Sequence, residues 1–169
     1  MNATEEMWLP VVGYEGLYEV SDRGRVRSLD RVVRNRNCEY VQSGRILSVQ
    51  RTPPMGYQSV TLTSGDRGKR RRIHVLVLEA FVCPRPPSLI GCHNNGDLDD
   101  NRPENLRWDT HSANTRDMIT HGKHARINQT HCKRGHEFTE RNTYTRPGSR
   151  TRQCRQCLRD RVGVKNPRF

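Results

Sequence analysis

The 169-residue sequence has little from which to build a large core: 32% of its residues are hydrophobic and 6% are aromatic. At roughly 150 residues per domain, the length admits one ordinary domain or two or three very small ones, and the low apolar fraction argues against a single large core. No apolar run approaches the ~18 residues of a membrane helix, so a soluble chain with no membrane partner is expected. The N-terminus carries Glu5 and Glu6 and lacks a basic stretch leading into an apolar one. No secretory signal is therefore expected, and the reading is an intracellular protein. There the six cysteines are expected as thiols or metal ligands rather than disulfides. Internal repeats are absent. Acidic residues are also scarce, 18 against 30 Lys and Arg, for a formal net charge of +12. Such an excess calls for a polyanionic partner, nucleic acid before a membrane surface, since no basic amphipathic helix stands out.

The charge is unevenly placed. Residues 1–50 are neutral, 51–90 carry +5, 91–123 carry −2 and 124–169 carry +9. A mildly acidic centre flanked by basic arms suits arms that hold phosphates and a centre that holds a cation. Short apolar alternations at Tyr18–Val20, Arg25–Arg27, Arg45–Leu47 and Gln58–Leu62, separated by Gly and Pro, read as short antiparallel strands. Arg67 to Arg72 reads as a basic loop, Ile73 to Phe81 as a short helix ended by Pro84, and Lys123 to Thr130 as a linker.

In the centre, Leu89 to His93 suits a strand and Asn94-Asn95-Gly96-Asp97 a turn; Asn105-Leu106-Arg107-Trp108 suits a second strand. Thr110 then serves as N-cap for a helix through Asn114 to about Met118. Strand, loop, strand, helix brings a histidine at the end of the first strand close to the helix after the second. Phosphodiester hydrolysis needs a base for water and a positive centre for the charge growing on phosphate. A neutral imidazole suits the first task, and an Asn carbonyl oxygen suits a hard cation such as Mg²⁺ for the second. His93 is thus the candidate base and Asn114 the candidate ligand. Asp97, Asp99 and Asp100 lack the terminal Glu of a calcium loop and are expected as turn residues, with Trp108 as a core anchor.

The segment resembles the ββα-metal (His-Me) finger of HNH endonucleases. The match lies in Cys92-His93, Asn94-x-Gly96, Asp100-Asn101, Glu104-Asn105-Leu106-Arg107-Trp108 and Asn114. The resemblance implies His93 as general base, Asn105 as the residue that holds the loop so that the His93 ring is aimed, and Asn114 as the metal ligand. Trp8-Leu9-Pro10 through Tyr18-Glu19-Val20-Ser21, followed by Gly24-Arg25-Val26-Arg27-Ser28, is similar to the nuclease-associated modular DNA-binding motif found ahead of such fingers in phage and intron-encoded homing endonucleases. Ile73-His74-Val75-Leu76 to Ala80-Phe81 resembles the helix that precedes the finger there. One departure matters: many members place Asp or His before the catalytic histidine as a second ligand, and here Cys92 stands there. Thiolate is a poor ligand for Mg²⁺, so Cys92 reads as a small buried residue. His111, one helical turn before Asn114, is a candidate second ligand, and Mn²⁺ or Zn²⁺ at the active site stays open.

Near the C-terminus, Cys132-x3-His136 is followed after seventeen residues by Cys154-x2-Cys157. Three thiolates and one imidazole at this spacing have the form of a structural tetrahedral Zn²⁺ site. His131 is an alternative to His136, but adjacent His and Cys side chains do not easily reach one metal. Tyr144-Thr145 and Arg150-Thr151-Arg152 would form a small ribbon between the ligand pairs. The segment also resembles the basic zinc-binding tail of many phage HNH proteins. Candidate DNA contacts are Arg25, Arg27, Lys69, Arg70, Arg71, Arg72, Arg107, Arg150, Arg152 and Arg155, because guanidinium groups suit phosphates and guanine edges.

The expectation is an α+β protein in three parts. Residues 1–65 form a β-rich DNA-binding motif, 66–122 hold the basic loop, helix and nuclease finger, and 123–169 form a zinc ribbon-like module. The expected function is Mg²⁺- or Mn²⁺-dependent cleavage of double-stranded DNA, by nicking or double-strand cutting, as a monomer or homodimer. The resemblance implies 5′-phosphate and 3′-hydroxyl ends and, for a phage gene, the host cytoplasm. A non-cleaving DNA-binding regulator with a degenerate finger is the alternative. An RNA-binding zinc protein is a third reading, which leaves the His93, Asn105, Asn114 spacing unexplained.

Overall fold

The computed structural model describes residues 5–34, 38–65, 67–149 and 151–164. The chain divides into two compact units, Met1–His121 and Gly122–Phe169. In the first, β1 (Trp8–Pro10), β2 (Tyr18–Ser21) and β3 (Val26–Ser28) form an antiparallel sheet with Trp8 opposite Ser21 and Tyr18 opposite Ser28. The turn between β2 and β3 closes on Ser21, whose hydroxyl accepts hydrogen bonds from the Arg23 and Arg25 amides. A two-stranded hairpin, β4 (Arg31–Arg34) with β5 (Glu39–Gln42), follows. Next come β6 (Gln50–Thr52), β7 (Tyr57–Ser64) and β8 (Arg67–Arg72), a second antiparallel sheet in that order.

Two expectations change here. The basic stretch Arg67 to Arg72 is a strand, not a loop. Strand β7 alternates buried Val60 and Leu62 with exposed Thr61 and needs a partner; β8 supplies it through six register pairs, with Arg71 opposite Val60 and Lys69 opposite Leu62. Long basic side chains tolerate such an edge because their stems cover apolar surface while their heads stay in water. Arg45 to Leu47, in contrast, makes only a single bridge, from Ile46 to Arg27. The chain arrives there past Gly44, which packs so close to Ser28 that a Cβ would sit 2.3 Å from the Ser28 carbonyl oxygen, and the Ser28 and Leu47 amides donate to the Arg45 and Val26 carbonyls on either side of the bridge.

Helix α1 (Ile73–Phe81) follows β8 directly and buries Ile73, His74, Leu76, Val77 and Leu78. It is apolar nearly all round because it packs against β1, β2, β7 and the finger strands at once. The finger consists of β9 (Ile90–His93), a 3-10 turn at Pro103–Asn105, β10 (Leu106–Asp109) and α2 (His111–Thr120). One core joins these elements: Val11, Val20 and Val26 from the first sheet, Val60 and Leu62 from the second, the α1 side chains, and Leu106 from the finger. Each such side chain contributes roughly 1.5–3 kcal/mol by leaving water. Trp108 packs against this core and donates its indole N–H to the Cys83 carbonyl at 3.1 Å.

Strand β9 lies so close to α1 that a Cβ on Gly91 would be 2.7 Å from His74 Cδ2 and 3.0 Å from Leu78 Cδ1. Both neighbours are fully buried and cannot yield. Gly91→Ala is expected to destabilise this unit by about 1–3 kcal/mol. Both tryptophans, Trp8 and Trp108, lie in it, so their fluorescence in a urea titration reads it alone. An unchanged midpoint would contradict the packing described.

In the second unit, α3 (Ala125–Asn128) is a single turn inside the stretch expected as a linker. It is followed by β11 (Thr143–Thr145), β12 (Arg152–Cys154) and α4 (Arg155–Val164). The Arg152 guanidinium holds the α3 turn by donating to the carbonyls of Arg126, Ile127 and Gln129, while stacking on Phe138. Thr143 faces Cys154 and Thr145 faces Arg152 in the ribbon. Arg150, expected in this ribbon and as a DNA contact, lies outside the described residues. No helix among the described residues is long and apolar enough to cross a membrane.

Candidate active site and metal centre

Strands β9 and β10 pair antiparallel, with His93 opposite Leu106 and Cys92 opposite Arg107. Between them the loop from Asn94 to Arg102 is closed by Asn105. Its Oδ1 accepts from the Asn95 amide at 3.0 Å, its Nδ2 donates to the Asp100 carbonyl at 2.7 Å, and its own carbonyl accepts from the Asn94 amide at 2.8 Å. Inside the loop, the Asn95 side chain accepts from the Asp97 amide and the Asp97 carboxylate accepts from the Asp99 amide, a run of local turns. Asp100 is chelated by Arg102, which holds its carboxyl down to about 2.

His93 sits at the root of this loop, 5% exposed. Its ring stacks on Tyr57, with 6.1 Å between centroids, and meets the edge of His74 at 4.9 Å. Burial pulls its imidazole below the ordinary histidine value, against the hydrogen bond to Asn101 and the carboxylates of Asp100, Asp97 and Asp99, which raise it. His93 is therefore neutral at pH 7, with a lone pair to offer. Asn114 lies in the first turn of α2, which Thr110 caps by accepting from the Ala113 amide. Among the described residues the half-buried Asn114 carboxamide has no hydrogen-bond partner, which leaves its oxygen available to a hard cation. His111, at the start of the same helix, is exposed. Cys92 is buried, and burial pushes its thiol up, so it stays protonated and unsuited to such a cation.

Arg107 does not project freely. It ion-pairs with Asp109 and Asp117 and donates to the Asn94 side chain, stapling strand, helix and loop together. Arg25 pairs with Glu6, Arg27 with Glu19 and lies over Trp8, and Arg71 pairs with Glu79. Arg72 lies over the Tyr57 ring, while Lys69 and Arg70 are exposed and unpaired among the described residues. In the second unit Arg155 donates to the Thr143 carbonyl.

Two buried residues of the site carried no chemical role in the sequence reading. Asn101 is 2% exposed and contacts His93 directly. His74 is equally buried, and its Nδ1 has no partner. Burial, with the charges of His93 and Arg72, lowers its imidazole to about 3. The only signal for it was a polar residue inside an apolar helical run. An unfolded chain protonates this histidine near 6.5 while the folded one resists to about 3, so stability is expected to fall on acidification across that window. The slope for this residue is on the order of 1.4 kcal/mol per pH unit mid-window. Urea midpoints of wild type and His74→Leu from pH 7 to 4 check this; equal slopes would refute it.

In the second unit Cys132, His136, Cys154 and Cys157 converge, all four donor atoms lying within 4.8 Å of one another. Cys132 Sγ lies 3.6 Å from Cys157 Sγ, and His136 Nδ1 lies 3.4 Å from Cys157 Sγ and 3.7 Å from Cys154 Sγ. Tetrahedral zinc with bonds of about 2.3 Å to sulfur and 2.0 Å to nitrogen demands edges of roughly 3.5–3.8 Å. The donor set and its spacing therefore fit a metal ion. Burial and the neighbouring Cys132 and Cys154 push the Cys157 thiol up to about 11, a repulsion that a bound cation relieves.

Family models agree with this layout: residues 6–63 match the NUMOD4 motif and residues 71–116 match HNH endonuclease. The chain carries an HNH endonuclease domain. Among HNH relatives, DNA endonuclease I-HmuI of Bacillus phage SP01 is 33% identical over 115 residues, covering 68% of this chain and 59% of the relative. An uncharacterized HNH endonuclease of Acanthamoeba polyphaga mimivirus is 32% identical over 161 residues, covering 89% of this chain and 36% of the relative. The solved structure of the HNH homing endonuclease I-HmuI, described as showing DNA binding and cleavage, superposes with a TM-score of 0.57 at 32% identity. It covers 70% of this chain and 60% of that one. The chain thus spans 59% and 36% of the length of these two curated relatives.

Proposed function

We propose that the protein is an intracellular, metal-dependent endonuclease that hydrolyses phosphodiester bonds of double-stranded DNA. The observation that carries this reading is His93, a buried, neutral imidazole held at the root of a loop clasped by Asn105 and followed by the Asn114 carboxamide, unpartnered among the described residues. In this reading His93 takes a proton from the attacking water, and Asn105 keeps the loop that presents His93 from fraying. Asn114, with His111 as a candidate second ligand, holds Mg²⁺ or Mn²⁺. Such an ion supplies positive charge near the scissile phosphate and the leaving 3′ oxygen. Cleavage then leaves 5′-phosphate and 3′-hydroxyl ends. The Cys132, His136, Cys154, Cys157 cluster holds a structural Zn²⁺. By division of labour, residues 1–65 read DNA, 66–122 cut it and 123–169 grip it outside the cut. Of the first-unit cations nominated for DNA contact, Lys69, Arg70 and Arg72 are the ones without an internal carboxylate among the described residues, and they meet phosphates. A monomer nicks one strand, and a symmetric dimer cuts both.

Incubation with supercoiled plasmid and with phage DNA tests the proposal. Conversion to open-circular or linear forms is expected with Mg²⁺ or Mn²⁺, and none with EDTA. Tight DNA binding with no cleavage under either metal would favour a non-cleaving regulator instead.

A further inference from the structure

The side chain that touches the His93 ring is Asn101. His93 Nε2 lies 3.3 Å from Asn101 Oδ1, and Asn101 is buried against the β2–β3 turn, where Gly24 has φ +74° and a Cβ would come within 2.7 Å of Asn101 Cβ. The turn is thus cut to receive this asparagine.

What orients Asn101 comes from β6 and β7, more than forty residues away in sequence. Arg51 has donors only, and its guanidinium donates to Asp99 Oδ2 at 2.9 Å; that contact holds the Asp99 carboxyl below the usual range, so it has acceptors only. Gln58 approaches the other oxygen of Asp99 at 2.9 Å and must therefore present its Nε2 to it. The Gln58 Oε1 is then left facing Asn101, which must meet it with Nδ2, at 2.9 Å. The same Nδ2 also donates to the Asp99 carbonyl at 3.3 Å. With both nitrogen-bound hydrogens used, the oxygen of Asn101 is what faces His93. An oxygen acceptor there requires a proton on Nε2 of the imidazole. Nδ1 of His93 makes no hydrogen bond and is not among the buried unpaired nitrogens of the described residues, which belong to His74 and His124.

We propose that Asn101 is a positioning residue that holds His93 in the tautomer protonated at Nε2 and leaves the Nδ1 lone pair as the base. The Arg51, Asp99, Gln58 chain from the N-terminal sheet sets the polarity. The tautomer assignment stands on the hydrogen bonds alone; its consequence for rate rests on the reading of His93 as general base. Two halves of the first unit are thereby coupled: the sheet β6–β7 determines which nitrogen of the catalytic loop can act.

Long-range proton–nitrogen NMR of the ¹⁵N-histidine-labelled full chain, with His93→Gln to assign the signals, reads the tautomer directly. Wild type is expected to show a protonated Nε2 and a bare Nδ1 at His93. Gln58→Leu frees the Asn101 amide to turn over. Its His93 signals should move toward the average of the two tautomers, and its single-turnover nicking rate should fall about twofold as the competent tautomer drops toward half of the population, with DNA affinity unchanged. Asn101→Asp keeps an acceptor on Nε2 and should retain the wild-type tautomer. A proton on Nδ1 in wild type, or an unchanged tautomer in Gln58→Leu, would overturn the proposal. If the NMR pattern holds but His93→Ala still nicks DNA, the general-base reading fails while the positioning stands.

Discussion

His93→Ala is expected to lower metal-dependent nicking by about 10²–10⁴-fold, the usual worth of a positioned general base, with DNA affinity and the unfolding midpoint nearly unchanged. The expectation of a small structural cost follows from where the ring sits. It stacks on Tyr57 and His74 at the edge of the core, but its one hydrogen bond is to Asn101, and the loop it serves is closed by Asn105 and Arg102 rather than by the imidazole. The measurement is single-turnover conversion of supercoiled plasmid with Mg²⁺, alongside DNA binding of the same preparation. A variant that nicks at the wild-type rate would remove His93 from the mechanism. One that neither binds DNA nor unfolds cooperatively would show instead that the ring is chiefly structural. A neutral base also implies that activity falls on acidification as the imidazole takes a proton. Burial moves that fall below the ordinary histidine range rather than above it.

The second large effect concerns the C-terminal unit. Among the described residues its only buried apolar side chain is Cys154; every other member of the buried core belongs to the first unit. Hydrophobic burial therefore cannot balance the chain entropy of ordering β11, β12 and α4. Structural zinc sites supply about 10–16 kcal/mol of apparent binding free energy in small modules, and there binding is folding. Cys154→Ser, or a strong chelator, is expected to abolish the ordered state of β11, β12 and α4 while the tryptophan fluorescence of the first unit stays unchanged. Metal analysis should find about one zinc per chain in wild type and a large loss in the variant. Unchanged zinc content in Cys154→Ser would contradict the ligand set, and retained C-terminal structure after chelation would contradict the argument from burial.

Sequence and structure meet most closely where the chemistry is local. Thr110 caps α2 as its position implied, and Asn94 to Asp97 form the turn their composition demands. Cys132, His136, Cys154 and Cys157 come together because C-x3-H and C-x2-C are loops short enough to aim two donors at one point. The stretch Arg67 to Arg72 misled because its composition is that of a loop; the register of β7, with Val60 and Leu62 turned inward, made it a strand. The arginines nominated for DNA contact show the same limit. Composition identifies cations but not their partners, and Arg25, Arg27, Arg71 and Arg107 each have an internal carboxylate.

By itself, then, the order of residues determined the finger, its histidine and asparagines, the cysteine cluster and the distribution of charge, all of which depend on spacings of a few to some twenty residues. Only the tertiary structure decided that the N-terminal sheets and the finger share one core, that His74 lies under His93, and that Gln58 reaches Asn101 across forty-three residues. Periodicity and motif spacing encode neighbours along the chain. Which nitrogen of an imidazole carries its proton depends on neighbours in space, and those are set by how α1 and two small sheets close around the same few buried side chains.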